Sequence, residues 1–292
     1  MKDLSSIIDS EYRKILNKET PLAEFIPSEE MWISIMKSIR RRVIFRRSLL
    51  VACTIFSIVF LSHAAWYMHV NYGLFDKNIN EYFVESGTGD RVQTIFQEGS
   101  KVYLNSGSIL KYPDKFGLDS REVYLDGEAY FDIAPDSKRP FVVRFADGTV
   151  KVYGTKFNLK AYSEDEEIVV SLEEGSVKVS ALGDDYMMKP SDILVYDRKI
   201  GVVNIFHDSD PVKNSLWKHN LISFREGTLR QVLAQLSRIY GVDFVLQDDI
   251  LDYKLTFTTE KESLSHILEE LEIITSLNFI FTTDKVVNVT KK

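Results

Sequence analysis

The chain is poor in the residues that form covalent and metal cross-links. Its 292 residues include one cysteine, Cys53, and five histidines. A single cysteine excludes an intramolecular disulfide framework and a zinc site built from several cysteines. Proline and glycine number only 7 and 14, which excludes collagen-like and low-complexity chains. Packing must therefore stabilise this protein, and its 18 phenylalanines and 14 tyrosines supply apolar surface for a core.

Charge is missing from one long stretch. Residues 48–75 carry no formal charge over 28 positions. Within them, Leu49 to Val70 would form a helix about 33 Å long, enough to cross a hydrocarbon core of ~30 Å. The sequence therefore predicts one transmembrane helix within residues 48–72. A buried helix of a soluble domain is seldom charge-free over this length, and the apolar run exceeds the ~7–15 residues of a signal peptide.

Charge is distributed unequally around this stretch. Residues 1–47 hold 10 Lys and Arg against 7 Asp and Glu, whereas residues 76–292 hold 26 against 36. Positive charge next to a span stays on the cytoplasmic side. The sequence predicts a single-pass membrane protein with a cytoplasmic N-terminus and an external C-terminus. The residues that set this orientation are Arg40, Arg41, Arg42, Arg46 and Arg47.

The predicted cytoplasmic segment, residues 1–47, has two amphipathic stretches. One covers residues 4–16, and the other begins after Ser28, a candidate helix N-cap. The second stretch carries an apolar stripe, defined by Met31, Trp32, Ile35, Met36 and Ile39. So short a segment is too small to bury both stripes. We expect the stripe to bind a protein partner, with an anionic lipid surface as the alternative.

Residues 80–206 alternate apolar and polar side chains in short runs, such as Lys101-Val-Tyr-Leu and Phe141-Val-Val-Arg-Phe. This period of two is typical of half-buried β-strands. Turn signals interrupt the runs at Glu98-Gly, Asp126-Gly, Asp147-Gly and Glu174-Gly. The pattern predicts an all-β domain, either a sandwich or a roll.

Residues 217–290 follow a different pattern, in which a strand, a helix and a strand occur twice. The predicted helices begin after the N-caps Thr228 and Ser263, and the first ends at Gly241. A further strand closes the segment at Val286 to Val289. We expect a small α+β module with a weak internal repeat of the βαβ type.

Motifs of catalysis are missing. The sequence has no HExxH, no CxxC, no P-loop and no G-x-S-x-G. Glu128 and Asp132 fall on one face of a predicted strand, but acids are too frequent in this chain for such a pair to indicate a glycosidase. The excess of acids outside the membrane also argues against nucleic-acid binding. The sequence predicts no enzyme, no cofactor and no metal site.

Several segments resemble one known family. Phe96-Gln-Glu-Gly-Ser-Lys-Val-Tyr-Leu-Asn105, Arg121-Glu-Val-Tyr-Leu-Asp-Gly-Glu-Ala-Tyr-Phe-Asp-Ile133, Val152-Tyr-Gly-Thr-Lys-Phe-Asn158 and Leu172-Glu-Glu-Gly-Ser-Val-Lys-Val179 are similar to the FecR family of transmembrane anti-sigma factors. Residues 217–289 resemble the short N-terminal domain of secretins and TonB-dependent transducing receptors. The cytoplasmic segment matches no family motif.

The resemblance implies a sensor in the inner membrane of a Gram-negative cell. Its periplasmic part would receive a signal from a TonB-dependent outer-membrane receptor, and its cytoplasmic part would control an extracytoplasmic-function sigma factor that transcribes nutrient-uptake genes. It also implies a site-specific membrane protease as a partner in signalling. Whether the N-terminus inhibits or activates the sigma factor stays open. The alternative is a membrane-anchored glycan-binding or adhesion module without a sigma-factor contact.

Two contact surfaces are predicted on this basis. The stripe from Met31 to Ile39 is expected to bind the sigma factor, since large apolar side chains dominate such contacts. The α+β module is expected to bind the receptor through an edge strand, because main-chain pairing gives affinity without a pocket. The candidate strands are Leu221–Arg225 and Val286–Val289, with the receptor-binding residues Leu221, Ile222, Phe224, Val286, Val287 and Val289.

Overall fold

A computed structural model of the chain describes Arg13 and residues 28–72, 80–246, 254–260 and 262–292. The chain divides into two compact units, Met1–Tyr67 and Met68–Lys292. The first amphipathic stretch, residues 4–16, lies outside the described residues apart from Arg13.

One long helix, α1 (Glu29–Tyr72), contains 44 residues and begins immediately after Ser28. Its first turn is closed by the amide of Met31, which donates to the carbonyl of Ser28 at 2.9 Å. The predicted boundary at residue 47 is not a break in secondary structure. The junction contains no proline or glycine and is rich in arginine and leucine, which are good helix formers. Among the described residues, α1 is the one helix long and apolar enough to cross a membrane.

The β domain, from Glu81 to His207, is built from thirteen strands in two seven-stranded sheets that share β5. Sheet A has the order β1-β4-β5-β6-β7-β10-β11, and sheet B has the order β2-β3-β5-β8-β9-β12-β13. The strands are β1 (Glu81–Glu85), β2 (Val92–Ile95), β3 (Lys101–Leu104), β4 (Ile109–Pro113), β5 (Arg121–Asp132), β6 (Phe141–Phe145), β7 (Gly148–Val152), β8 (Lys156–Ala161), β9 (Glu167–Glu174), β10 (Val177–Ala181), β11 (Asp184–Met188), β12 (Asp192–Asp197) and β13 (Val202–His207).

Strand β5 passes from one sheet into the other. Its first half, up to Asp126, pairs with β4 and β6, and its second half, from Gly127, pairs with β3 and β8. The prediction of a turn at Asp126-Gly is therefore wrong. Gly127 has a φ of 128°, and a Cβ there would overlap Ser108. The glycine permits a sharp change of direction inside a continuous strand, so the same local signal has a different structural use.

The inner faces of the two sheets enclose one apolar core. Phe131 of sheet B lies 6.2 Å from Phe141 of sheet A and stacks on Phe157 at 4.8 Å between ring centroids. Outward-facing positions alternate with these along each strand. The predicted largely β architecture is confirmed. The outer face of sheet B is available for packing by the 3-10 helix that follows in the chain.

A 3-10 helix (Pro211–His219) connects the β domain to the α+β module. The module contains β14 (Leu221–Thr228), α2 (Leu229–Tyr240), β15 (Asp243–Leu246), β16 (Lys254–Glu260), α3 (Leu264–Ile274), β17 (Leu277–Thr283) and β18 (Val286–Lys291). This is the predicted element order. Thr228 and Gln231 form a capping box at the start of α2, Gly241 ends it in a left-handed conformation, and Ser263 caps α3.

The strands of the module form two small sheets. One pairs β14 with β16, and the other has the order β15-β18-β17. Strand β18 therefore has a neighbour on both sides, so of the two candidate edge strands Val286–Val289 does not lie at an edge. The sequence position of β18 does not indicate this second neighbour, because the parallel partner β15 comes from the first half of the repeat.

Candidate functional site

The 3-10 helix packs the module against the outer face of sheet B. Proline at the first helical position fixes its start, and Asn220 ends it in a left-handed conformation. Trp217 on this helix is only 5% exposed, and its Nε1 donates to Oδ1 of Asn158 on β8 at 3.1 Å. Nearby, Nδ2 of Asn214 donates to Oγ of Ser171 at 2.7 Å. We call this contact region between the β domain and the module the joint.

Beneath Trp217 lies a buried carboxylate. Glu128 is 7% exposed and accepts two hydrogen bonds, from Nδ2 of Asn158 at 2.9 Å and from Nδ2 of Asn105 at 2.8 Å. Both amides thus donate hydrogen bonds to a buried carboxyl group, which satisfies its polar atoms. Because Asn158 contacts Glu128 with one end and Trp217 with the other, the position of the 3-10 helix is tied to β5 and β8 on the outer face of sheet B.

A second polar cluster lies at Glu173 on β9. Its two carboxylate oxygens accept from Oγ of Ser215 at 2.6 Å and from the hydroxyl of Tyr130 at 2.7 Å. Nζ of Lys218 lies 2.9 Å from the centroid of the Tyr130 ring. Burial, followed by the hydrogen bond to Glu173, raises the pKa of Tyr130, and burial lowers the pKa of Lys218. The tyrosine therefore stays a neutral donor throughout the physiological range.

Helix α2 makes the third set of joint contacts through Arg238. The guanidinium lies 3.7 Å from the centroid of the Tyr162 ring, 3.0 Å from Oε1 of Glu164 and 3.3 Å from Oδ2 of Asp165. Burial alone lowers the pKa of Arg238, but the hydrogen bond and charge of Asp165 outweigh it and raise the pKa. The arginine is thus a fixed cation stacked on one aromatic ring and paired with two acids.

About two turns earlier, α2 also contacts a carboxyl of the β domain. Nε2 of Gln231 donates to Oε2 of Glu167 at 2.6 Å. Burial raises the pKa of Glu167, and the hydrogen bond from Gln231 partly opposes this shift. The raised pKa means that this carboxyl takes up a proton at a less acidic pH than an ordinary glutamate does.

A cleft of about 350 Å³ opens beside the joint, a volume within the range of ligand sites. Its floor is the outer face of sheet B, with Val169, Ile193, Val195 and Phe206. Its opposite wall comes from β14 and β16 of the module and combines short polar side chains with an apolar and a basic one. These wall residues include Ser223, Thr256 and Thr258 together with Leu221 and Arg225.

Two family models match the chain. The model described as FecR protein matches residues 82–178, and the model described as FecR, C-terminal matches residues 221–289. The chain belongs to the FecR family. Neither model covers residues 179–220, which include β13 and the 3-10 helix of the joint.

Two crystal structures are similar to this FecR family member. Each is of a proposed anti-sigma factor from Parabacteroides distasonis and is 27% identical in sequence to this chain. The first covers 72% of this chain and 99% of its own, with a TM-score of 0.69. The second covers 73% and 100%, with a TM-score of 0.70. No curated protein matches the chain.

The predicted sigma-factor-binding stripe lies on the first part of α1. Met31, Ile35 and Ile39 lie on one face of α1 and are half-buried, and Trp32 and Met36 beside them are exposed. The orienting residues Arg40, Arg41, Arg42, Arg46 and Arg47 are all exposed on the same helix. Their binding and orienting roles stay predictions.

The predicted receptor-binding side chains are mostly internal. Ile222, Phe224, Val287 and Val289 belong to the core of the module, and Leu221 and Val286 are half-buried. Of the two candidate strands, β14 lines the cleft, through Leu221 and Phe224. A contact of this strand with a partner must therefore use its backbone or its outward residues, such as Ser223 and Arg225.

Sequence reasoning missed the joint itself. Asn158 and Glu128 lie inside segments that carry the family resemblance, but alternation alone does not show that an outward residue is covered by a distant element. One signal was present: the isolated Trp217 in a polar linker suggests a covered surface. Among the described residues, no group of three or more His, Cys, Asp or Glu is arranged to hold a metal.

Proposed function

We propose that this FecR family member is an anti-sigma factor that spans the bacterial inner membrane once. Residues 1–47 would lie in the cytoplasm and residues 80–292 in the periplasm. The exposed arginines from Arg40 to Arg47 and the charge-free second half of α1 support this orientation. The similarity to two proposed anti-sigma factors supports the role.

The observation that carries the proposal is the continuity of α1. One helix presents the apolar stripe from Met31 to Ile39 and then the apolar span, with no break between them. A sigma factor held by the stripe is thereby tethered at the membrane and kept from the promoter. This arrangement explains why an exposed Trp32 and Met36 precede a cluster of arginines at the membrane surface.

The proposed partners follow from the family. The cytoplasmic partner is an extracytoplasmic-function sigma factor for nutrient-uptake genes, and the periplasmic partner is the signalling domain of a TonB-dependent outer-membrane receptor. A site-specific membrane protease would release the cytoplasmic part during signalling. The joint supports reception of the signal by the β domain and module together, because three sets of polar contacts connect them.

Co-purification of sigma factors with this chain from its own cells tests the cytoplasmic contact. The double variant Trp32→Ala and Ile35→Ala should weaken retention of the sigma factor by the full-length membrane protein, since truncating one apolar anchor costs about 2 kcal/mol or more. The matched control is Ile33→Ala with Ile44→Ala, two exposed apolar residues on another face of α1. Equal retention by both double variants would remove the stripe from the binding site.

The same preparation tests the whole proposal. Absence of any sigma factor on the wild-type chain would favour the membrane-anchored glycan-binding or adhesion module instead. A C-terminal alkaline phosphatase fusion should be active and an N-terminal one inactive, because the enzyme works only in the periplasm. The reverse result would overturn the proposed orientation.

A further inference from the structure

The four outer strands of the β domain differ in how their free edges are protected. Strand β1 carries Glu81 and Glu85, strand β11 carries Asp184 and Asp185, and strand β2 has only four residues. Strand β13 has six residues, Val-Val-Asn-Ile-Phe-His, without an acid, a lysine or a proline. Natural edge strands are normally short or charged, because a long uncharged edge pairs readily with another strand. Within the described part of the chain, β13 pairs only with β12.

The pairing registers show which groups of β13 face outward. Asp197 pairs with Val202 and Ile193 with Phe206 along β12 and β13. The amide of Arg198 donates to Glu166 at 2.8 Å, which places the even-numbered residues of β12 in the ladder with β9. By alternation, the odd-numbered residues of β12 bond to the even-numbered residues of β13. The main-chain groups of Val203, Ile205 and His207 therefore point away from the sheet.

The exposed side chains of β13 continue into the cleft. Phe206 is 49% exposed and forms part of the cleft floor with Ile193 and Val195. Ile205, on the opposite face of the strand, is 42% exposed although it lies next to the buried Leu194. A strand added beside β13 would place one set of its alternate side chains next to Phe206, at the mouth of the cleft. The other set would cover Ile205.

We infer that β13 receives an extended segment of the receptor's periplasmic portion as an added strand, with the cleft accepting its side chains. Strand addition of this kind takes affinity from main-chain hydrogen bonds and specificity from pockets for alternate side chains. This inference rests on the proposed function and assigns its receptor contact to a strand that the sequence did not suggest.

Charge decides which occupant fits this edge. Residues 76–292 carry 26 Lys and Arg against 36 Asp and Glu, a net charge of −10. A second copy of the chain would bring an equal negative charge, which opposes self-pairing at the edge. An extended segment with apolar alternate residues and basic flanks matches both the apolar strand and the net negative charge of residues 76–292.

The test is a promoter reporter in cells that carry the full-length chain. Ile205→Pro removes an outward N–H and leaves the ladder with β12 intact, so basal repression should persist while the induction ratio falls about tenfold or more. The matched control is Ile95→Pro on β2, the other edge of sheet B. The amide of Phe96 donates to Ser100 at 2.9 Å and so places the Ile95 N–H outward, and Ile95 is 63% exposed. This control should keep the wild-type ratio.

A photo-cross-linking amino acid at position 205 gives a second measurement that is independent of the proline. An antibody against the receptor should detect an adduct at position 205 during induction and none at position 95. If the wild-type chain responds to the inducer but Ile205→Pro responds equally and position 205 gives no receptor adduct, the inference is wrong while the proposed function stands. If the wild-type chain gives no response to inducer, the proposed function fails and this inference fails with it.

Discussion

The β domain and the α+β module differ in the burial of their large side chains and in the size of their sheets. The largest fully buried side chains all lie in the β domain, among them Phe131, Phe141 and Phe157. The aromatic residues in the module's core, Phe224 and Phe279, are each 8% exposed, and its strands form sheets of only two and three. Small sheets depend on packing against other elements. We therefore expect changes at the joint to destabilise the module more than the β domain.

Removing the Trp217 side chain should give the largest difference in stability between the module and the β domain. Trp217→Ala deletes a buried aromatic side chain and leaves Oδ1 of Asn158 without its donor, at a cost of about 3–5 kcal/mol. Hydrogen exchange of the full-length protein should accelerate in the strands of the module and stay slow in β5 and β8. Tyr153→Ala, which truncates an exposed aromatic residue of the β domain, is the control.

Trp217→Phe separates the two contributions of this side chain. It keeps most of the packing and loses the N–H donor, so its cost should be about 1 kcal/mol. Uniform acceleration of exchange across both regions in either Trp217 variant would show that the β domain also depends on the joint.

Removing the charge of Arg238 should have an intermediate effect. Arg238→Ala leaves Asp165, which is largely buried, without its main partner and removes the stacking on Tyr162, so we expect a loss of about 2–3 kcal/mol in the free energy of unfolding. The control, Arg144→Ala, breaks an ion pair of 2.8 Å with Glu122 in which both side chains are exposed. Its cost should stay below about 0.5–1 kcal/mol. Equal losses in denaturant titrations would contradict a special role for the joint.

The sequence predicts local elements of both regions better than it predicts contacts between distant segments. Local signals located the strands and capped helices well: Thr228 and Gly241 bound α2, and the alternation at Phe141 marks β6. The predictions that failed concern pairing between distant segments. The Asp126-Gly pair predicts a turn and Val286–Val289 is a candidate edge, because a glycine or a terminal strand has the same local pattern in either context. The joint was missed for this reason too, since Asn158 and Trp217 are 59 residues apart.

Protonation of Glu167 should produce the smallest effect, and its sign follows from burial. Its pKa is raised in the folded protein, so the folded state binds this proton more tightly than the unfolded state. The contribution to stability is fully present below the ordinary glutamate pKa of about 4 and is lost as pH rises through the raised value. Glu167→Gln removes this dependence. We therefore expect the variant to gain stability relative to the wild type as pH rises through this window.

Denaturant titrations of both proteins from pH 4 to pH 7.5 measure this difference. The gain should remain below about 1 kcal/mol, because the side chain is half-buried and solvent screens the effect. Glu81→Gln, an exposed glutamate on β1, controls for the loss of one negative charge. Parallel curves for the wild type and Glu167→Gln would mean that burial at the joint does not set the affinity of this carboxyl for its proton. The contact between Gln231 and Glu167 would then contribute to the joint equally at every pH.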